Sequence, residues 1–374
     1  MSHGDAEDTL RMLGDAVASF AKPDGQRSRA ARDQHHGCDS GVWQEMAAMG
    51  WLAATLPEDQ GGLGLGLGPA AAIARRLGYA AHHEPFVAAG VMAVECLAAC
   101  GPAAGALLGA VTEGGLMASL AWQPPDGQLE PEACAVTIAR HGGKVLLSGE
   151  CRFVGAPHAD DFLVVAQGAG EFALYRVPRA GHLVAVECEP AADGSQLGRV
   201  TLSGVEPAPG ALLAQGDAAR AALERALAAG VLTTAAELLG VIERALELTL
   251  EHLRTRHQFG QAIGAFQALQ HRAVDMWIQQ QLTEAALGSA LRAFDDPAAG
   301  VRARRLAASS AKARASQAAL YVCGQAVQLH GAIGFTDECE LGLHVNRALV
   351  LAARYGNAAW HRRRYAELAT SASH

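Results

Sequence analysis

The apolar residues of this chain change their spacing twice, and that double switch restricts the fold more than any other feature. Up to about residue 113 they recur at helical intervals: Leu10, Leu13, Val17 and Phe20 form one set, and Trp43, Met46 and Gly50 another. A glycine-rich break runs from Pro57 to Pro69, followed by Ala-rich helical stretches near 69–82 and 86–100. The break is read as a flexible loop, because no strand precedes it and no Gly-Lys-Ser/Thr ends it, as a phosphate-binding loop requires. From about residue 116 the apolar runs shorten to strand length: Met117–Trp122, Cys134–Ala139, Val145–Leu147, Phe162–Ala166, Phe172–Val177, Leu183–Val186 and Val200–Leu202. Turn residues separate them, as in His141–Lys144 and Ala192–Ser195. Helical spacing returns near residue 210, over 217–255 with Leu238, Leu239, Ile242, Leu246, Leu250 and Leu253 on one stripe, then over 265–293, 301–330 and 340–369.

Many short strands with tight turns predict an antiparallel β-barrel or sandwich, and four long helices predict a bundle. A Rossmann unit is excluded, since strands and helices do not alternate and no glycine fingerprint follows a strand. The expected fold is therefore α+β and multidomain: a helical N-terminal domain (1–114), a central antiparallel β-barrel (115–209) and a C-terminal four-helix bundle (210–374). A length of 374 residues accommodates this, because single cores stop growing near ~250–300 residues.

Composition removes several classes of function. Hydrophobic residues make up 50% and charged residues 18%, which marks a globular chain. The net charge of −8 argues against nucleic acid as the main partner. No uninterrupted apolar run reaches the ~18–20 residues of a membrane span, and the start, Met1 to Asp8, is polar and acidic. A cytoplasmic location is expected. The eight cysteines contain no CxxC pair and read as reduced thiols, so no metal site is expected.

Two segments carry chemistry. From Arg254 to His271 a long helix ends in arginines, a glycine-containing turn follows, and a new helix opens near Ala265. A helix start beside a guanidinium suits a pyrophosphate, since free N–H groups, dipole and charge all favour the anion; taken alone, arginines near a helix C-terminus also read as ordinary capping. From Gln325 to Phe335 a helix runs into Gly331 and Gly334, where the backbone can approach another surface closely.

Taken together, RxxFGxxIxxFQxxQH followed some 60 residues later by QLHGxxGF resembles the C-terminal domain of the acyl-CoA dehydrogenase family. Met49–Leu52, Leu56–Glu58 and Gly61–Gly64 resemble that family's opening domain. The segments from Gln328 to His361 look most like the small-subunit type found in dicarboxylyl-, pimeloyl- or steroid-side-chain-CoA dehydrogenases. The resemblance implies FAD as cofactor. Arg256 would meet its pyrophosphate across a subunit interface, with Gln258 and Phe259 beside it and Gln267 near the adenosine. Gln328, Gly331 and Ala332 would line the dinucleotide from a neighbouring chain, with Asn357 near the adenine. Ala332 stands where the family often has a second glycine.

The resemblance also exposes departures. The family's reaction removes an α-proton while hydride leaves Cβ for the flavin, and it needs a carboxylate base whose proton affinity burial raises. At the two positions where the family places that carboxylate, this chain has Tyr355 and Gly230. Glu237 and Glu224 are the nearby alternatives, each also readable as a surface or arginine-paired glutamate, and His330 and His271 read as packed or capping residues. Phe153–Gly155 matches a flavin-facing Trp-Ile/Val-Thr segment without its hydroxyl, and Gln123 takes the approximate place of a threonine that bonds the flavin. The resemblance thus implies an FAD-dependent acyl-CoA dehydrogenase, acting in fatty acid or steroid side-chain degradation and passing electrons to an electron-transfer flavoprotein. It would work as a homo-oligomer or as a heterotetramer with a paralogous subunit. The alternatives are a non-catalytic subunit lending FAD contacts to that paralogue, and a flavin-free helical protein that binds acyl-CoA or a nucleotide.

Overall fold

Alternating burial along the strands, and continuous burial along two of them, determines how the middle of the chain is built. The computed structural model describes residues 3–34, 38–168, 170–336 and 338–370. Met1, Ser2 and the side chains of Leu10 and Phe335 lie outside what is described. The chain divides into two compact units, one comprising 31–66 and 83–230, the other 1–30, 67–82 and 231–374. The helical N-terminal zone is thus shared between them. It contains α1 (His3–Phe20), α2 (Gly25–Gln34), α3 (Ser40–Ala48), α4 (Gly68–Tyr79), α5 (Ala93–Ala99) and α6 (Gly105–Thr112), with a π-helix, Phe86–Met92, running into α5.

The first unit is organised on one mixed sheet: β1 (Ala118–Ala121), β2 (Val136–His141), β3 (Lys144–Val154), β4 (Asp161–Gly168), β5 (Glu171–Pro178), β6 (Val184–Pro190), β7 (Gln196–Val205) and β8 (Leu212–Gln215). The order is β6-β7-β3-β2-β4-β5-β8, with β1 beside β4. This corrects the expected antiparallel barrel in two respects. The sheet is open, because β6 and β8 end the path without pairing to each other, and β4 runs parallel to both β1 and β2. The cause is visible in burial. β1 and the first six residues of β4 are buried without alternation, the pattern of strands covered on both faces. No helix lies between the parallel strands among the described residues, so these are not βαβ units. β8 falls where helical spacing was expected to begin.

The second unit is helical. α7 (Gly216–Thr255) enters it at Val231 and is followed by α8 (Gln267–Asp295), α9 (Val301–His330), α10 (Leu341–Ala353) and α11 (Ala358–Thr370). The fourth expected helix is therefore two, broken at Arg354–Asn357. An 18-residue window of α7 has a mean hydropathy of 1.5, enough for a membrane span, but it is 89% buried in the fold and is a core helix. α7 and α4 meet at glycines: a Cβ on Gly240 would lie 1.8 Å from the Arg75 carbonyl, and one on Gly78 would lie 2.1 Å from that of Glu237. Only a residue without a side chain permits so close a backbone approach.

Candidate active site and cofactor-binding surface

Directly after α7 the chain turns on a small hairpin. β9 (His257–Gln258) pairs with β10 (Gln261–Ala262), leaving Phe259 and Gly260 at the tip with φ of 53° and 82°. Two successive positive φ values make a type I′ turn, whose first position normally goes to Asn, Asp or Gly. A phenylalanine there costs on the order of 1–3 kcal/mol, and it is 90% exposed. Its packing return is one edge contact with Phe266, ring centroids 6.1 Å apart. Arg256 and Gln258 are exposed beside it, and among the described residues no carboxylate pairs with the Arg256 guanidinium. α8 opens at the exposed Gln267 with no side chain capping its first amides. An unpaired guanidinium, uncapped amides and a flat exposed ring fit an anionic dinucleotide.

The second motif ends α9. Gly331, at φ 67°, terminates the helix, and Gln328, Gly331 and Ala332 are all exposed. His330 turns the other way: its Nδ1 lies 2.8 Å from the Ala326 carbonyl, and its ring stacks on His252 of α7 with centroids 4.4 Å apart. The Arg256 N–H donates to the His252 carbonyl at 2.9 Å. The two motifs therefore lie beside each other within one chain, joined by a histidine pair. Burial first, then His330 and Arg256, hold His252 below the usual histidine range. Sequence reasoning missed His252, yet its place one helical turn before Arg256 was a readable signal. Asn357 caps α11, its Oδ1 accepting the Trp360 N–H at 2.9 Å.

The two positions for a base differ in kind. A Cβ on Gly230 would lie 2.4 Å from Sδ of Met92, so the π-helix already fills that volume. Nothing in the sequence marks Met92 for this role. Tyr355 sits at φ 57°, half-buried, and burial above all pushes its phenol above the usual tyrosine range, with Glu237 adding to the shift. A phenol that holds its proton so firmly is no base near neutral pH. Glu237 is buried in an ion pair: its Oε1 accepts from Arg347 Nε at 2.9 Å and also from Nη2 of the same guanidinium. Arg347, seven residues before Arg354 on the sequence, was not foreseen as the partner. Glu224 lies half-buried on the first half of α7, apart from this pair in sequence and in unit.

In the sheet unit, Phe153 occupies the β3–β7 bulge at φ 58°, 37% exposed, with the Arg152 guanidinium 5.2 Å from its ring. Gln123 is buried and donates from Nε2 to the Gly127 carbonyl at 3.1 Å, so this donor serves the 124–127 loop. Five described non-glycine residues have positive φ, and three of them are Phe153, Phe259 and Tyr355. Strain of this kind collects at functional positions, and here it collects where the motifs had pointed.

Comparison with known proteins follows the same lines. Family models described as "Acyl-CoA dehydrogenase, N-terminal domain" and "Acyl-CoA dehydrogenase, C-terminal domain" match residues 7–106 and 219–369. The chain is 30% identical over 341 residues to "Acyl-CoA dehydrogenase IpdE2" of Mycobacterium tuberculosis, covering 90% of each sequence. Among solved structures it is similar to the ChsE4-ChsE5 complex from Mycobacterium tuberculosis, with a TM-score of 0.85 at 26% identity over 99% of this chain and 98% of that one. It is also similar to a variant of the Tcur3481-Tcur3483 steroid ACAD, with a TM-score of 0.87 at 27% identity over 98% and 99%.

Proposed function

The chain belongs to the acyl-CoA dehydrogenase family, and from that premise we propose that it takes part in FAD-dependent α,β-dehydrogenation of an acyl-CoA thioester, with an electron-transfer flavoprotein as the onward acceptor. The observation that carries this reading is the exposed, strained Phe259 beside the unpaired Arg256. Bound FAD would supply the hydride acceptor. This chain's residues would do the holding: Arg256 and the first amides of α8 would compensate the pyrophosphate, Phe259 and Gln258 would lie beside the dinucleotide, and Gln328, Gly331 and Ala332 would give it a side-chain-poor surface. The His252–His330 stack supports one chain offering both motifs together. Phe153 presents an aromatic face from the sheet. A steroid-like or otherwise bulky acyl group is the proposed substrate class, following the steroid ACAD and the ChsE4-ChsE5 complex among its structural neighbours.

A second reading has a specific observation behind it. With Met92 in the volume of one base position, a protonated phenol at the other and Glu237 committed to Arg347, this chain presents no poised carboxylate at either place. A paralogous subunit would then supply the base, and this chain would lend FAD contacts. The exposed apolar face of α8, formed by Val274, Trp277, Ile278 and Leu282, supports an oligomer, homomeric or with that paralogue. Purifying the chain alone and testing for flavin colour, then for its bleaching on acyl-CoA addition, separates the readings. Colour with fast bleaching supports a self-sufficient enzyme. Colour with slow bleaching, restored by co-expressed paralogue, supports the subunit reading. A colourless protein that gains no flavin with any partner overturns both.

A further inference from the structure

Lys312 is fully buried in α9. A buried ammonium ordinarily needs a carboxylate, and among the described residues none pairs with it. Its Nζ instead donates to the carbonyls of Leu351 and Gly356 at 3.0 Å and of Ala352 at 3.2 Å, with Ser316 Oγ at 3.0 Å. Leu351 and Ala352 belong to the last turn of α10, where carbonyls lose their helical partners and the dipole is negative. The chain leaves the helix at once: Arg354 is extended, Tyr355 lies at φ 57° and Gly356 at φ 107°. From the next helix His361 reaches the same segment, its Nε2 3.0 Å from the Tyr355 carbonyl and its Nδ1 3.3 Å from Ser309 Oγ. Ser309, Lys312 and Ser316 share one face of α9, at i, i+3 and i+7. Four carbonyls, at 351, 352, 355 and 356, are therefore held by two buried side chains, the Lys312 amine and the neutral His361 imidazole.

An apolar residue in place of Lys312 would avoid the desolvation cost, so the cost indicates what the ammonium holds. We propose that Lys312 and His361 are a positioning pair that locks the Arg354–Asn357 segment about its positive-φ residues, Tyr355 and Gly356, and so sets where Tyr355 and Asn357 would meet bound flavin and acyl group. The inference rests on the family reading only for what the segment faces; the lock itself is a property of this chain. Facing the ammonium are Arg354 from the segment and His361 from α11, while α10 turns its last carbonyls to it. Burial, and then Arg354, bring Lys312 down to about 7. Burial, and then the Lys312 charge, bring His361 down to about 3.

The three ammonium N–H groups share four acceptors, three carbonyls and Ser316 Oγ; loss of a proton as pH rises past about 7 leaves two N–H donors, too few for the three carbonyls even if the serine hydroxyl turns to donate to the amine. Global stability moves the opposite way: between about 7 and the ordinary lysine value of 10.5 the unfolded chain holds the proton and the folded chain does not, so stability rises with pH there. This opposition separates a local lock from general packing. The test is segment-resolved hydrogen exchange on the full chain, with its partner subunit where one is needed, corrected for intrinsic exchange. In the wild type, protection at 354–357 falls across pH 7 while the denaturation midpoint rises. Lys312→Met and His361→Leu speed exchange in that segment at least tenfold, leave the body of α8 unchanged, and weaken FAD binding by a similar factor. His361→Gln, which keeps a donor near Nε2, stays within threefold of wild type. Wild-type protection that is flat across pH 7, or unchanged segment exchange in a folded Lys312→Met protein, overturns the proposal. A wild type that never binds FAD overturns the proposed flavin-dependent function instead and leaves the exchange result standing.

Discussion

The hairpin after α7 and the knot around Glu237 belong to the same helical unit and treat polar groups in opposite ways. At the hairpin a guanidinium has no counter-ion among the described residues, a helix start has no side-chain cap, and an aromatic ring stands 90% exposed on a strained backbone. At the knot the buried ionisable side chains are engaged: Glu237 by Arg347, Lys312 by three carbonyls, His361 by Tyr355 and Ser309. Folding explains the knot without reference to a ligand, whereas it offers no reason for the hairpin. A surface that keeps strain and unpaired charge is organised for something outside the chain, and a motif match alone could not have drawn that distinction.

The contrast can be broken by substitution. The largest effect belongs to the knot: Glu237→Ala removes the carboxylate that the buried Arg347 guanidinium donates to and should cost ~3–5 kcal/mol of folding stability, read as a lowered denaturation midpoint. Arg256→Ala should leave that midpoint within ~0.5 kcal/mol yet weaken FAD binding by ~1.5–3 kcal/mol through a lost charge-assisted bond, measured by flavin titration of the apoprotein. If Arg256→Ala unfolds the protein while Glu237→Ala is silent, the two regions have been assigned the wrong roles.

Smaller effects sharpen the picture. Gly230→Glu should be destabilising by ~1–3 kcal/mol through overpacking, because its side chain enters the space of Met92. The pair Gly230→Glu with Met92→Ala should recover most of that loss, and a double-mutant cycle in chemical denaturation reads the recovery. Smallest, Phe259→Gly should relieve the left-handed strain and stabilise the apoprotein by about 1 kcal/mol, while lowering flavin affinity. A variant that is both less stable and fully competent for flavin would remove the case for a ligand-facing Phe259.

The order of helices, strands and helices was legible because periodicity is a local property, and most strand runs appear in the sheet within a few residues of their expected places. β8 was not, since Leu212–Gln215 is too short to show alternation and takes its conformation from pairing with β5. The split of the last helix at Arg354–Asn357 was hidden for a related reason: Tyr355 carries no sequence signature of a left-handed residue, and the lock that holds it comes from α9 and α11. Arg256, Gln258, Phe259, Gln328 and Gly331 could be named as candidates because both motifs are contiguous. Met92 and Arg347 were not, because each matters only through a residue more than a hundred positions away.

The chain's own order of residues thus decided its elements, its glycine-bearing motifs and its family, all of which are written in spacings of a few residues. Whether the sheet closed, whether Glu237 stood free or paired, and whether the volume beside Gly230 was open were decided only on folding. Those outcomes depend on which distant side chains and strand edges come within a few ångströms of one another, and short-range hydrogen bonding and packing act on that distance alone, whatever the separation along the chain.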